Sequence, residues 1–227
     1  MREVFHDEMD EIGAGVAEMI RLVAVAMEQA TGALLDADLV RAERVIEADT
    51  TVDDLRVALE DRAFQMIARQ QPVATDLRVL ITSVHLVSDL ERMGDLALHV
   101  AKIARLRFPE QAVPDEARDI IAQMGEVARS LVQKVADVVD GRDVELAQAI
   151  EAEDDSMDAL RRQLFTLVLS PGWRHGTEAA IDMTLLGRYY ERYADHAVAV
   201  ARRTIFIVTG QRPPRPGSAN SAGIGLR

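Results

Sequence analysis

The chain has 227 residues, 48% of them apolar and 28% charged, with no cysteine and a formal net charge of −12. Such a composition belongs to a folded chain and excludes disulfides and thiolate metal sites, while the acidic balance disfavours duplex nucleic acid as a partner. Aromatic residues make up only 4%, which favours helix-on-helix packing of Ala, Val, Leu, Ile and Met over a β-sandwich.

The stretch Met1 to Glu11 is acidic and lacks an apolar run of signal-peptide length. No run approaches the roughly 18 apolar residues of a membrane span. The expected location is therefore cytoplasmic, with membrane contact at most peripheral.

Apolar residues recur at helical spacing almost throughout. The pattern predicts helices over Asp7–Leu35, Asp38–Arg69, Asp76–Phe108, Asp115–Asp140, Asp143–Leu169 and Thr177–Thr209. Between them stand Gln70-Gln71-Pro72, Pro109 with Pro114, Asp140-Gly141 and Ser170-Pro171-Gly172, all of which stop helices. Asp38, Asp76 and Asp143 are the expected N-caps. Short connections force antiparallel neighbours, so the fold class is all-α, two tandem similar three-helix bundles. The divisions are 1–110, 111–209 and a Pro/Gly/Arg-rich tail, 210–227, expected to be disordered. From His196 onward there are five Arg and no acid. That stretch serves solubility, or it meets an acidic partner or an anionic membrane surface.

The two halves repeat. Ala42, Val45, Asp49, Val52, Asp53 and Leu55 recur as Ala147, Ile150, Asp154, Met157, Asp158 and Leu160. Leu90-Glu91-Arg92-Met93-Gly94-Asp95-Leu96-Ala97 recurs as Tyr190-Glu191-Arg192-Tyr193-Ala194-Asp195-His196-Ala197.

Each repeat carries two carboxylate pairs at i,i+4: Asp49/Asp53 and Glu91/Asp95, then Asp154/Asp158 and Glu191/Asp195. Such pairs share one helix face. A single pair means little, since 38 acids in 227 positions would give about six by chance. Their placement says more. Asp49 and Asp95, like Asp53 and Glu91, are equidistant from residue 72, within the first hairpin turn. Asp154 and Asp195, like Asp158 and Glu191, are centred between residues 174 and 175, within the second. Each hairpin thus lifts four carboxylates to one height. Their repulsion calls for an offset, either ion pairs with Arg92 and Arg192 or a bound cation. Oxygen-only donors suit hard ions such as Mg²⁺, Mn²⁺, Ca²⁺ or iron. His99, four residues past Asp95, could add a nitrogen ligand. No nucleophile–base arrangement or phosphate-cradling glycine loop is evident, and a metal-dependent phosphohydrolase and a metal-free scaffold remain the alternatives.

These paired motifs, the turn sequence Arg69-Gln70-Gln71-Pro72-Val73-Ala74-Thr75-Asp76-Leu77-Arg78 and the Glu-Arg-x-x-Asp-x-Ala element of each half closely resemble the PhoU family, over about residues 5 to 209. The resemblance implies a cytoplasmic regulator and not an enzyme. It implies a protein that links the phosphate ABC transporter, through its ATPase subunit, to a sensor histidine kinase, and that represses the phosphate-starvation response. It also implies a homodimer that reaches the membrane only through these partners and does not bind nucleic acid. Family metal motifs map onto Glu91/Asp95 and Glu191/Asp195, and the facing Asp49, Asp53, Asp154 and Asp158 complete the set. The implied cofactors are divalent or iron ions (Fe, Mn, Mg or Zn) at these carboxylates.

Overall fold

The computed structural model describes residues 2–141 and 143–211. Six helices follow in chain order: α1 (Arg2–Asp36), α2 (Leu39–Gln70), α3 (Ala74–Arg107), α4 (Asp115–Gly141), α5 (Val144–Val168) and α6 (Gly176–Thr209). No strand occurs among the described residues.

Local chemistry sets most of the ends. Asp38 caps α2 by accepting from the backbone N–H of Arg41, and Asp143 caps α5 by accepting from Glu145 and Leu146. The close of α2 is a left-handed Gln71 whose N–H donates to Ile67, after which Pro72 prevents continuation. Gly210, with φ +73°, ends α6 in the same way, its N–H donating to Phe206. Asp76 is not the cap of α3. The helix starts two residues earlier, at Ala74, behind Val73, which makes no side-chain cap. Asp76 instead sits in the first turn, where its charge meets the positive end of the helix dipole. The tail expected at 210–227 lies outside the described residues from 212 onward.

α1, α2 and α3 pack on one another, and so do α4, α5 and α6. Two seams join the groups, α1 on α4 and α3 on α6. The α3/α6 seam is antiparallel. The start of α3 meets the end of α6 where Arg78 donates to the carbonyl of Ile207. At the other end Arg107 Nε donates to Asp182 Oδ2 at 2.6 Å. The core is correspondingly continuous, running from Val16 and Met19 on α1 through Leu90 and Met93 to Met124, Met157, Tyr190 and Tyr193. On α4 the inward stripe Ala117, Ile121, Met124, Ala128, Leu131 and Val135 is buried. Each such large aliphatic side chain contributes about 1.5–3 kcal/mol when fully buried.

Two tyrosines of α6 reach across this core to α1. The Tyr190 hydroxyl is 2.7 Å from Thr31 Oγ1, and the Tyr193 hydroxyl donates to the carbonyl of Val23 at 3.1 Å. A buried hydroxyl must find a partner, and these two find it in the other unit.

Candidate functional site

The hairpin α2–α3 places Asp49 and Asp53 opposite Glu91 and Asp95. The neighbourhood is close: Asp49 Oδ1 lies 3.6 Å from where a Cβ on Gly94 would sit. Asp49 is held up to about 6, first by burial and then by the charges of Asp53, Asp95 and Glu91, with Lys102 opposing. Burial also raises Glu91, with Asp95 adding to the shift and Arg92 countering it.

The hairpin α5–α6 does the same with Asp154, Asp158, Glu191 and Asp195. Asp154 is likewise pushed up to about 6, by burial and then by Asp195, Asp158, Asp155 and Glu191. Asp195 is raised by burial and by Glu191, against Arg188 and His196. The equidistance of these residues from their turns therefore translates into two real acidic clusters, each carrying negative charge that its surroundings do not fully offset.

Arginines supply part of the offset. In the first cluster Arg92 donates to Asp95 Oδ2 at 3.0 Å and lies 3.5 Å from Glu91, while Arg56 Nε is 3.9 Å from Glu91. In the second, Arg161 lies 3.8 Å from Glu191 and 4.0 Å from Asp158, Arg162 reaches Asp158 at 4.0 Å, and Arg188 donates to Glu191. Arg192, expected to pair as Arg92 does, makes no ion pair among the described residues. Arg188, one turn earlier on α6, takes that role.

Arg56 and Arg161 were not anticipated. A signal for them exists, because Val52-Asp53-Asp54-Leu55-Arg56 and Met157-Asp158-Ala159-Leu160-Arg161 stand at the same repeat offset. In both, Nε is buried without a hydrogen-bond partner. Each guanidinium is thus drawn to its glutamate at ion-pair distance without a tight hydrogen bond from Nε.

The donor chemistry of each cluster suits a hard cation: oxygen only, anionic and half-buried. As the side chains stand, however, no three Asp, Glu or His groups converge closely enough to enclose a metal ion among the described residues. Glu91, Asp95, Asp158 and Glu191 are turned toward arginines instead. His99 does not join the first cluster. Its ring stacks on Tyr189 of α6, centroids 5.2 Å apart. His196 Nδ1 is 3.2 Å from Asp89 Oδ1, and Arg203 holds the other oxygen of Asp89 at 2.5 Å. His175 pairs with Glu116.

The chain matches the family described as "PhoU domain" twice, over residues 16–104 and 121–204. It is 49% identical over 213 residues to "Phosphate-specific transport system accessory protein PhoU homolog 2" of Mycobacterium tuberculosis, an alignment covering 94% of this chain and all of that one. Its structure is similar to the crystal structure of PhoU from Pseudomonas aeruginosa, with a TM-score of 0.83 and 27% identity, covering 91% of this chain and 100% of the other. The phosphate transport system regulatory protein PhoU from Streptococcus pneumoniae shares the fold at a TM-score of 0.83 and 24% identity, covering 93% and 100%.

Proposed function

This chain belongs to the PhoU family, and we propose from that premise that it is a cytoplasmic accessory regulator of a phosphate-specific transport system. It represses the phosphate-starvation response by contact with the ATPase subunit of the transporter and with a sensor histidine kinase. It works as a homodimer, performs no catalysis and meets the membrane only through those partners. None of its helices is long and apolar enough to cross a membrane among the described residues, which accords with such a role.

The observation that carries this reading is the likeness to an accessory protein over 94% of this chain and all of that one, combined with one acidic cluster in each half. Divalent or iron ions bind at Asp49, Asp53, Glu91 and Asp95 and at Asp154, Asp158, Glu191 and Asp195. A cation there would replace arginine as the counter-charge and supply the electrostatic support the protein side chains give only in part.

The deciding experiment is co-purification of the full chain with the transporter ATPase subunit and, separately, with the cytoplasmic part of the kinase. It is run with and without Mn²⁺ and inorganic phosphate. Retention of both partners is expected, and retention of neither under any condition would sink the proposal. Elemental analysis tests the metal part. Glu91→Gln combined with Glu191→Gln should strip bound metal from protein purified without chelator.

A further inference from the structure

Where α3 crosses α6, between the two acidic clusters, the surface opens into a depression of about 270 Å³. Three arginines line it: Arg92 from α3, and Arg188 and Arg192 from α6. His99 and His196 stand at its wall, and Asp95 is its single acid. In a chain of net charge −12, a lining of three guanidinium groups and one carboxylate is unusual, and Arg192 among them makes no ion pair within the described residues, while Arg92 and Arg188 are partly offset by Glu91 and Glu191 behind them.

We infer that this depression is a seat for a tetrahedral oxyanion that carries a proton, with inorganic phosphate as the type ligand. Guanidinium forks match the oxygens of such an ion two at a time, which a point charge cannot do. Arg192 makes no ion pair among the described residues, so its donors are available without any rearrangement. Arg92 and Arg188 hold Asp95, Glu91 and Glu191 through some of their nitrogens and line the same space. Stacking on Tyr189 fixes the His99 ring at the margin. The volume admits the ion together with several waters, each needing about 30 Å³.

Asp95 sets the selectivity. An ionised carboxylate only accepts hydrogen bonds. It repels fully ionised sulfate but accepts the O–H that phosphate keeps at neutral pH. The seat therefore prefers phosphate over sulfate of the same shape. It is formed by the arginines and one aspartate alone and needs neither metal nor a protein partner to be present.

Titration calorimetry of the full chain with inorganic phosphate, in chelator and at low ionic strength, tests this, with sulfate as the competitor. Saturable phosphate binding is expected, at least tenfold tighter than sulfate. Arg192→Gln should weaken it about tenfold, the loss of a charge-assisted bidentate contact. Arg192→Lys should fall between, since the charge remains and the fork does not. Asp95→Asn should bring sulfate up toward phosphate. Far-ultraviolet circular dichroism establishes that each variant is folded. Absence of saturable binding, equal affinity for the two anions, or indifference to Arg192→Gln in a folded variant would overturn the proposal. None of these outcomes bears on the co-purification result, so the two readings fail separately.

Discussion

Tyr190 places its hydroxyl 2.7 Å from Thr31 Oγ1, so a fully buried side chain of α6 is hydrogen-bonded to α1 of the other unit. Thr31 also donates to the carbonyl of Met27 at 2.8 Å. With both partners satisfied, its rotamer is fixed. Tyr190→Phe removes one bond but leaves Thr31 its backbone acceptor. The expected cost is about 1 kcal/mol, read as a lower midpoint in urea unfolding with the slope unchanged.

The same threonine decides what Gly125 can tolerate. A Cβ at Gly125 would stand 2.6 Å from Thr31 Cγ2, at the α1/α4 seam. Ala there gains about 1 kcal/mol of helix propensity but must push apart two helices around a locked side chain. Gly125→Ala should destabilise by about 1–2 kcal/mol net. Gly94→Ala is the contrast, because a Cβ there meets Val52 and Asp49 at 3.4 and 3.6 Å, ordinary contact. It should leave the thermal midpoint level or raised. Equal responses of the two variants would contradict this account of the seam.

Arg107 holds Asp182 at the far end of the α3/α6 seam, and the aspartate side chain is only 7% exposed. Arg107→Met strands a buried charge and should cost about 3 kcal/mol. The double variant with Asp182→Leu removes both charges and should recover most of that loss. A double-mutant cycle in chemical denaturation measures the difference.

The buried carboxylates give stability a defined pH dependence. An unfolded Asp titrates near about 3.9, whereas Asp49 and Asp154 titrate at about 6 in the fold. Between these values the folded state binds more protons than the unfolded one. Their stabilising contribution is therefore complete below pH about 4 and is lost as the pH rises through about 6. Asp49→Asn and Asp154→Asn stay neutral throughout. Each should match the parent near pH 4 and exceed it above pH 6.5, in urea midpoints taken without metal. A gap independent of pH would rule this out.

Arg92 and Arg188 each face two ways, toward a carboxylate cluster and toward the depression on the seam. A cation on the clusters would free both guanidinium groups for the anion. Micromolar Mn²⁺ should then tighten phosphate binding about five- to tenfold, and phosphate should tighten Mn²⁺ by the same factor, as reciprocal linkage requires. Calorimetry in both orders of addition checks the equality.

Six helices and their antiparallel order were legible because periodicity, proline and glycine are local signals. So was the convergence of Asp49 with Asp95 and of Asp154 with Asp195, since a short turn fixes the register of the hairpin around it. Asp76 misled because a capping residue type near a turn does not say in which residue the helix begins. Arg56 and Arg161 were readable in the repeat, each three residues past the second Asp of its helix pair, although their pairing with Glu91 and Glu191 crosses the hairpin. The α3/α6 seam was not readable. Contacts such as His99 on Tyr189 and Asp89 with Arg203 join elements far apart in sequence and leave no periodic trace. The pairing of Glu191 with Arg188 rather than Arg192 is of another kind: the two stand three residues apart on α6, a spacing the sequence does contain.

Every packing of one helix on another within the first unit recurs between the equivalent helices of the second, and the two seams each join an element to its own counterpart. With α3 and α6 antiparallel across their seam, the pattern of packing is that of an isologous dimer with both copies in one chain. An exact dyad would oblige any ligand on the axis to meet identical groups from either side. Here the exchange is incomplete: Arg188 has Ser88 as its counterpart, Tyr193 has Met93, and Ala194 has Gly94. Because Ser88 stands where Arg188 would recur, the depression has unlike sides, and an occupant would meet an extra guanidinium from α6 alone.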